Sequence, residues 1–181
     1  MSSFTAYHDD PATVPRINTL KVKLLNKKST GIPRNIDVFA VTHNKTFITK
    51  PVRTLSGVAP VAIMSKPFRC PPQAQCTFCP GGPDSVFGDT PKSYPGGSPA
   101  HLRAIRNHYD SYLQVFNRLE HYALLGQDFS KVELIIMGGT FTSYPKSYRD
   151  EFVTYAFKAF NDFSGMFMDK SVLKRDAFHA F

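Results

Sequence analysis

The chain has 181 residues, of which 42% are hydrophobic and 20% are charged. These proportions are those of an ordinary globular protein, and they exclude wholesale disorder. No apolar run approaches the length of a membrane span, and the opening MSSFTAYHDDPATVP lacks the basic and apolar segments of a secretory signal. We therefore expect a cytoplasmic protein that has no membrane partner.

The formal net charge of +8 is concentrated in the first part of the chain. Residues 1–69 contain 11 Lys and Arg but three Asp and Glu, whereas residues 70–181 contain 11 of each kind. Such an excess is typical of proteins that bind a polyanion, and nucleic acid is the first candidate. A solvated basic surface that keeps the protein in solution accounts for the charge equally well.

The first clear structural signal is a strand that leads into a long loop. Residues 1–56 have weak periodicity, and the first 15 predict a loose arm. The apolar run VAPVAIMS after Gly57 predicts a buried strand. Residues 66–98, called the cysteine loop below, are rich in Pro and Gly and predict irregular structure. A loop of this length inside a compact domain is usually functional.

A long helix, a second strand and a second helix are predicted after this loop. Ser98 and Pro99 suit a helix start, and Gly126 suits its end. The apolar face of this helix contains Leu102, Ile105, Tyr109, Tyr112, Leu113, Phe116, Leu119 and Ala123. The next strand runs from Val132 to Met137, and a helix near residues 146–163 follows. The inner face of that helix contains Tyr148, Phe152, Tyr155, Ala156, Ala159 and Phe160. This order predicts an α/β fold, a parallel βαβα unit with functional loops at the carboxyl ends of its strands.

All three cysteines of the chain lie in the cysteine loop. Cys70, Cys76 and Cys79 have the spacing C-x5-C-x2-C, which is unlike a secreted disulfide framework and indicates thiolate ligands. Three thiolates suit a 4Fe-4S cluster with one open iron, on which S-adenosylmethionine (SAM) is chelated. Zinc remains an alternative, because His101 or His108 on the following helix would complete four ligands.

Five segments lie in this order between residues 50 and 152: KPVRTLSGVAPVAIMSKPFRCP, CTFCPGGPDSVFGDTPKSY, PAHLRAIRNHYDSYLQVFNRLE, KVELIIMGGTF and SYRDEF. Together they closely resemble the catalytic subunit of Elongator. This family comprises tRNA wobble-uridine acetyltransferases with a radical SAM domain followed by an acetyltransferase domain. CPGGPDS and MGGTF are specific, whereas a lone C-x2-C is not.

The resemblance implies both an architecture and a reaction. Residues 1–56 correspond to a basic N-terminal tRNA-binding region, and residues 57–181 to the first part of an incomplete radical SAM barrel, a partial βα barrel of the TIM type. The C-terminal acetyltransferase domain is absent. The implied activity is that of a tRNA uridine acyltransferase that carboxymethylates C5 of the wobble uridine. This activity belongs to a larger enzyme, and we expect the present chain alone to be inactive.

The implied cofactors are a 4Fe-4S cluster and S-adenosyl-L-methionine, with acetyl-CoA as cosubstrate. The implied partner is tRNA. For a eukaryotic source the resemblance adds the other Elongator subunits as partners, and the nucleus as a second location. By position, Cys70, Cys76 and Cys79 match the cluster ligands. Lys131 matches a lysine that contacts acetyl-CoA in the family, although an exposed lysine at a strand start is its simpler interpretation.

The remaining site residues are also assigned by position. Gly138, Gly139 and Thr140 match a glycine-rich strand end that approaches SAM, where glycine lets the backbone come close to a ligand. An ordinary strand-to-helix turn is the alternative. Lys50 and Arg53 lie in the KPVRT segment and are candidate tRNA contacts, or else solvated charges.

Three departures from the family pattern stand out. The first cysteine gap is longer than the three residues common in radical SAM enzymes, KSYPGGSP replaces the more usual QSYTG-x-EP, and the sequence shows about two of about six expected βα units.

Two other functions therefore stay open. One is a non-catalytic, truncated RNA-binding module with a metal-stiffened cysteine loop. The other is a radical SAM enzyme for a small molecule, against which the basic first third argues.

Overall fold

A computed structural model describes residues 38–39, 47–48, 54–74 and 76–180. The predicted tRNA contacts Lys50 and Arg53, and most of the predicted N-terminal region, lie outside these ranges. The regular elements are β1 (Ala59–Met64), α1 (Pro99–Arg106), α2 (Ser111–Leu124), β2 (Val132–Met137), α3 (Lys146–Phe167), β3 (Met168–Asp169), β4 (Val172–Leu173) and α4 (Arg175–Ala180). Single 3-10 turns occur at Pro72–Ala74 and Phe141–Ser143.

Strands β1 and β2 form a parallel pair, as the sequence predicts. The register runs from Ala59 opposite Val132 to Met64 opposite Met137. Parallel strands require a crossover connection, which here contains the cysteine loop, α1 and α2. β3 and β4 form a separate two-residue antiparallel pair. Within the described residues the protein is therefore a mixed α/β fold with two small sheets.

The prediction of one long helix between residues 99 and 126 is wrong, because the chain forms two helices there. His108 and Tyr109 lie between them with φ values of +51° and +56°, in the left-handed region that interrupts a helix. The carboxylate of Asp110 then accepts a hydrogen bond from the backbone N–H of Leu113 at 2.8 Å, which starts α2. A capping aspartate therefore overrides the continuous apolar periodicity.

The break also changes which side chains face the core. Leu102 and Ile105 of α1 are 49% and 47% exposed, and Leu113 of α2 is 46% exposed, although all three were predicted to be buried. His101 and Ala104 are the buried residues of α1. Because the chain turns between the two helices, α1 and α2 do not share one continuous face.

The core lies where α2 and α3 pack together beside β1. It contains Ala59, Val61 and Ile63 of β1, Val115, Leu119, Tyr122 and Ala123 of α2, and Phe152, Ala156, Ala159, Phe163 and Phe167 of α3. Helix α3 extends beyond the predicted end at residue 163, which adds Phe167 to the core. Tyr155, predicted on the inner face, is 47% exposed. Burial of side chains of this size stabilises the fold by about 1.5–3 kcal/mol each.

Side chains of α2 hydrogen-bond the edge of β1 that faces away from β2. The amide of Gln114 accepts from the backbone N–H of Met64 and donates to its carbonyl, both at 2.9 Å. The Tyr122 hydroxyl donates to the Pro60 carbonyl at 2.7 Å. These bonds satisfy strand groups that a further strand would otherwise pair.

Candidate functional site

The carboxyl ends of β1 and β2 bring two segments of the chain together. β1 continues into Ser65 and the cysteine loop, and β2 continues into residues 138–145, called the glycine turn below. The backbone N–H of Ser65 donates to the Met137 carbonyl at 2.9 Å, which holds the two exits side by side. Such an edge of a parallel sheet is where α/β proteins place their binding sites.

Between these two segments lies a cavity of about 160 Å³. It is called the thiol pocket below, and it is lined by Cys70, Cys76, Cys79, Lys92, Ser93, Gly139 and Thr140. All three cysteines are free thiols; Cys76 is exposed, and the other two are half-buried. Five of the residues assigned from the sequence therefore line one cavity.

Gly138 lies behind the pocket and fixes the approach of the two strand ends. It is buried, has a φ of +135°, and a Cβ built on it would lie 2.0 Å from the Ser65 Oγ. The Tyr144 hydroxyl donates to the Gly138 carbonyl at 2.5 Å and accepts from the Ser65 hydroxyl at 3.5 Å. This position therefore requires glycine for both space and backbone conformation.

Short-range hydrogen bonds shape the cysteine loop. The Oγ1 of the fully buried Thr90 accepts from the backbone N–H of Gly82 at 2.9 Å. The Sγ of Cys79 accepts from the backbone N–H of Ser93 at 3.2 Å and donates to the Gly81 carbonyl at 3.0 Å. The two halves of the loop are thus joined directly at one of the thiols.

Hydrogen-bond donors and a positive charge near the Cys79 sulfur favour its thiolate form. Burial raises the pKa of this thiol, but the backbone hydrogen bonds of Ser93 and Gly81 and the charge of Lys92 outweigh burial. The net effect is a pKa below the usual value of a cysteine. Since the thiolate is the form that binds metals, Cys79 is prepared for ligation.

An aromatic cluster connects the start of the cysteine loop to the glycine turn and α3. The Phe68 ring lies 4.4 Å from the Tyr144 ring and 4.9 Å from the Tyr148 ring, measured between centroids. The Tyr148 hydroxyl accepts from the backbone N–H of Lys66 at 3.0 Å. Burial raises the pKa of Tyr148 to about 12, so this hydroxyl stays protonated at neutral pH.

The donor chemistry of the pocket fits an iron-sulfur cluster better than a zinc ion. Among the described residues, no group of three or more His, Cys, Asp or Glu side chains is arranged to hold a single metal ion. Neither predicted fourth zinc ligand lines the thiol pocket. His101 is buried with its Nε2 hydrogen-bonded to the Tyr109 hydroxyl at 2.9 Å, and His108 is exposed. Three thiols without a fourth ligand match a 4Fe-4S cluster with one open iron.

Comparison with known proteins gives close relatives over most of the chain. No family model matches it. Elongator complex protein 3 of Saccharomyces cerevisiae is 48% identical over 128 residues, which cover 68% of this chain and 23% of the relative. The Schizosaccharomyces pombe protein of the same name is 40% identical over 173 residues, which cover 88% of this chain and 32% of the relative. The tRNA uridine(34) acetyltransferase of Methanocaldococcus infernus is 42% identical over 156 residues, covering 81% and 29%.

Over the matched residues the chain is similar to Elongator complex protein 3 and to a tRNA uridine(34) acetyltransferase. This similarity confirms the resemblance that the five sequence segments indicate. The chain spans between about a quarter and a third of the length of these relatives. Within the described part of the chain, no helix has both the length and the apolar character needed to cross a membrane.

Lys131, the residue assigned to acetyl-CoA from the Elongator resemblance, lies away from the thiol pocket. It is exposed at the amino end of β2, and its carbonyl accepts from the backbone N–H of Ala59 at 2.8 Å. A strand of this length spans about 20 Å, and the thiols lie at its other end. The structure therefore does not bring Lys131 and the cysteines together, and its role stays a prediction.

Two residues of the thiol pocket were missed by sequence reasoning, Lys92 and Ser93. Both lie in KSYPGGSP, one of the stretches that depart from the Elongator family pattern. Ser93 has a φ of +72°, so the chain turns sharply at the pocket wall. The density of Pro, Gly and Ser around them predicts a turn but not its position over Cys79.

Proposed function

We propose that this chain carries the cluster-binding part of a radical SAM tRNA wobble-uridine acetyltransferase. The complete reaction is the acetyl-CoA-dependent carboxymethylation of C5 of the uridine. One observation carries the proposal: three free thiols and the Gly139–Thr140 backbone line one cavity where two parallel strands end. Relatives named tRNA uridine(34) acetyltransferase support the substrate class.

In this proposal each part of the thiol pocket has a role. Cys70, Cys76 and Cys79 hold the 4Fe-4S cluster, and the backbone at Gly139 and Thr140 lies beside the SAM that binds its open iron. When bound, these cofactors supply one-electron reductive cleavage of a carbon–sulfur bond. The protein contributes binding and orientation.

The residues around the pocket keep the ligands in position. The backbone N–H of Ser93 holds the Cys79 sulfur by a hydrogen bond, and such contacts to ligand atoms orient them. The Gly138–Tyr144 contact fixes the strand end on which the pocket is built. The aromatic rings of Phe68 and Tyr148 pack together and anchor the start of the cysteine loop to α3.

The proposal assigns the rest of the chain as follows. Residues 1–56, with Lys50 and Arg53, bind tRNA, and residues 57–181 form the first part of a radical SAM barrel. Lys131 meets a phosphate of acetyl-CoA as a point charge, at the end of β2 opposite the thiols. The larger enzyme acts in the cytoplasm, with other Elongator subunits if the source is eukaryotic.

Anaerobic reconstitution with iron and sulfide tests the proposal. We expect a 4Fe-4S absorption spectrum and, after reduction, an EPR signal that changes when SAM is added. The triple variant Cys70→Ser, Cys76→Ser, Cys79→Ser is the matched control and should bind no cluster. The proposal is contradicted if the chain takes up only zinc. It is also contradicted if the EPR signal of the cluster does not change when SAM is added.

A non-catalytic RNA-binding module with a metal-stiffened loop is the second candidate. It is favoured by the net charge of +8. This module should bind tRNA with a strong salt dependence whether or not iron is present. Its cluster, if formed, should give the same EPR spectrum with and without SAM.

A further inference from the structure

Lys92 is the charged residue of the thiol pocket. The other residues that line this cavity are the three cysteines, Ser93, Gly139 and Thr140, none of which carries a fixed charge. No carboxylate from the described part of the chain lines the cavity with them. The Lys92 side chain therefore lines the same cavity as the three thiols, and its charge acts on Cys79.

Two glycines provide the space in which the Lys92 side chain lies. A Cβ built on Gly82 would lie 2.7 Å from both the Cε and the Nζ of Lys92, and one on Gly139 would lie 3.0 Å from its Cβ. Gly82 belongs to the cysteine loop and Gly139 to the glycine turn. The lysine side chain therefore lies between the two segments that form the site, with its charged end beside Gly82.

The charge of Lys92 is not neutralised by an ion pair among the described residues. The ion pairs found there join Arg69 to Asp84, Lys146 to Asp150, and Lys158 to Asp162.

The acids of the cysteine loop itself have other contacts. Asp84 pairs with Arg69, and the carboxylate of Asp89 accepts from the backbone N–H of Asp84 at 2.9 Å. The Lys92 ammonium is therefore available to the contents of the pocket.

A fixed cation beside a cluster changes the energy of reduction. Three thiolate ligands make the site negative, and the electron that reduces the cluster adds a further negative charge. A nearby ammonium stabilises the reduced state more than the oxidised state, because the attraction grows with the charge of the cluster. Net charge around the site is among the terms that set the reduction potential of iron-sulfur proteins.

We propose that Lys92 raises the reduction potential of the 4Fe-4S cluster that Cys70, Cys76 and Cys79 hold, because its side chain lines their cavity and its ammonium has no ion-pair partner among the described residues. The inference rests on the proposed cluster and deepens it. The family pattern QSYTG-x-EP has glutamine where this chain has Lys92. This chain therefore has a positive charge at a position where that pattern has none.

The test is an EPR-monitored redox titration of the reconstituted chain with dithionite as the one-electron reductant. Lys92→Met keeps an unbranched side chain of similar length without the charge, and Lys92→Gln restores the residue of the family pattern. Both should shift the midpoint potential to a more negative value. Lys92→Arg keeps the charge and should stay close to the wild-type chain.

Lys174→Gln is the matched control, because it removes one positive charge from an exposed site. Lys174 follows α3, and its backbone N–H donates to the Phe167 carbonyl at the end of that helix. The helix itself is about 30 Å long and starts beside the glycine turn. This control should leave the potential unchanged.

The outcomes separate the inference from the proposed function. A wild-type chain without a 4Fe-4S cluster overturns both. A wild-type cluster whose potential is the same in Lys92→Met and Lys92→Gln overturns the inference alone. If these two variants hold no cluster while Lys92→Arg does, the charge serves assembly rather than the potential, and the inference is overturned. If Lys92→Arg also holds none, packing rather than charge explains the residue, and the inference is overturned.

Discussion

The cysteine loop and the glycine turn leave neighbouring strands, yet they contribute to the site in opposite ways. The cysteine loop, residues 66–98, provides the three thiols and Lys92, and the regular structure among its described residues is a single 3-10 turn. The glycine turn, residues 138–145, provides mainly backbone, and it is fixed by contacts to Ser65 after β1 and to α3. Reactive groups therefore lie on the long segment, while the short one determines where that segment rests.

The largest effect is expected from placing a side chain at the base of the glycine turn. Gly138→Ala puts a Cβ 2.0 Å from the Ser65 Oγ at a φ of +135°. Steric overlap and backbone strain together should destabilise the fold by about 3 kcal/mol. Urea denaturation followed by circular dichroism measures the loss.

Gly165→Ala is the control for that substitution, because a Cβ there meets nothing within 4 Å and the residue lies inside α3. It should be neutral or stabilise the protein by about 0.5–1 kcal/mol. Equal stability of the two variants would show that the glycine turn is less constrained than the structure indicates.

A smaller effect is expected from removing one hydroxyl of the same turn. Tyr144→Phe keeps the ring against Phe68 but leaves the Gly138 carbonyl without this hydrogen bond, which should cost about 1–2 kcal/mol. The exposed Tyr155→Phe should change stability by less than about 0.5 kcal/mol. The comparison of the two denaturation midpoints measures the difference, and identical midpoints would refute the role of the hydroxyl.

A substitution in the cysteine loop should loosen that loop without loosening the rest of the fold. Thr90→Val keeps the shape of a fully buried side chain but removes the acceptor of the Gly82 N–H, at a cost of about 1 kcal/mol. Hydrogen exchange of amides in residues 76–93 should become faster, while exchange in α3 stays unchanged. Thr154→Val, on the exposed face of α3, is the control. Unchanged exchange in the loop would mean that Thr90 does not hold it together.

The smallest effect concerns alkaline pH. The pKa of Tyr148 is raised to about 12 because its hydroxyl is buried, so the unfolded chain ionises this group first. Its contribution to stability is complete below the usual tyrosine pKa of 10.0 and is lost as the pH rises from there toward 12. Denaturation midpoints across this range should fall less steeply in Tyr148→Phe. An identical slope in both proteins would contradict the burial of this hydroxyl.

The sequence predicts the regular parts of the site well and its loop contacts poorly. The apolar runs ending at Met64 and Met137 predict both strands, and parallel pairing follows from their order. The break before Asp110 is missed because apolar spacing continues through it, while a single capping carboxylate decides the outcome. Lys92 and Ser93 are missed because a loop has no periodicity from which contacts can be derived.

The hydrogen bonds between α2 and the outer edge of β1 affect where a further strand can pair with the sheet. Pro60 has no N–H, its carbonyl is taken by Tyr122, and both backbone groups of Met64 are taken by Gln114. An incoming strand would therefore find the outward backbone groups of these two residues already engaged, with those of Ala62 between them. An extension of the sheet meets less competition on the side of β2, where the exposed Ile135 lies.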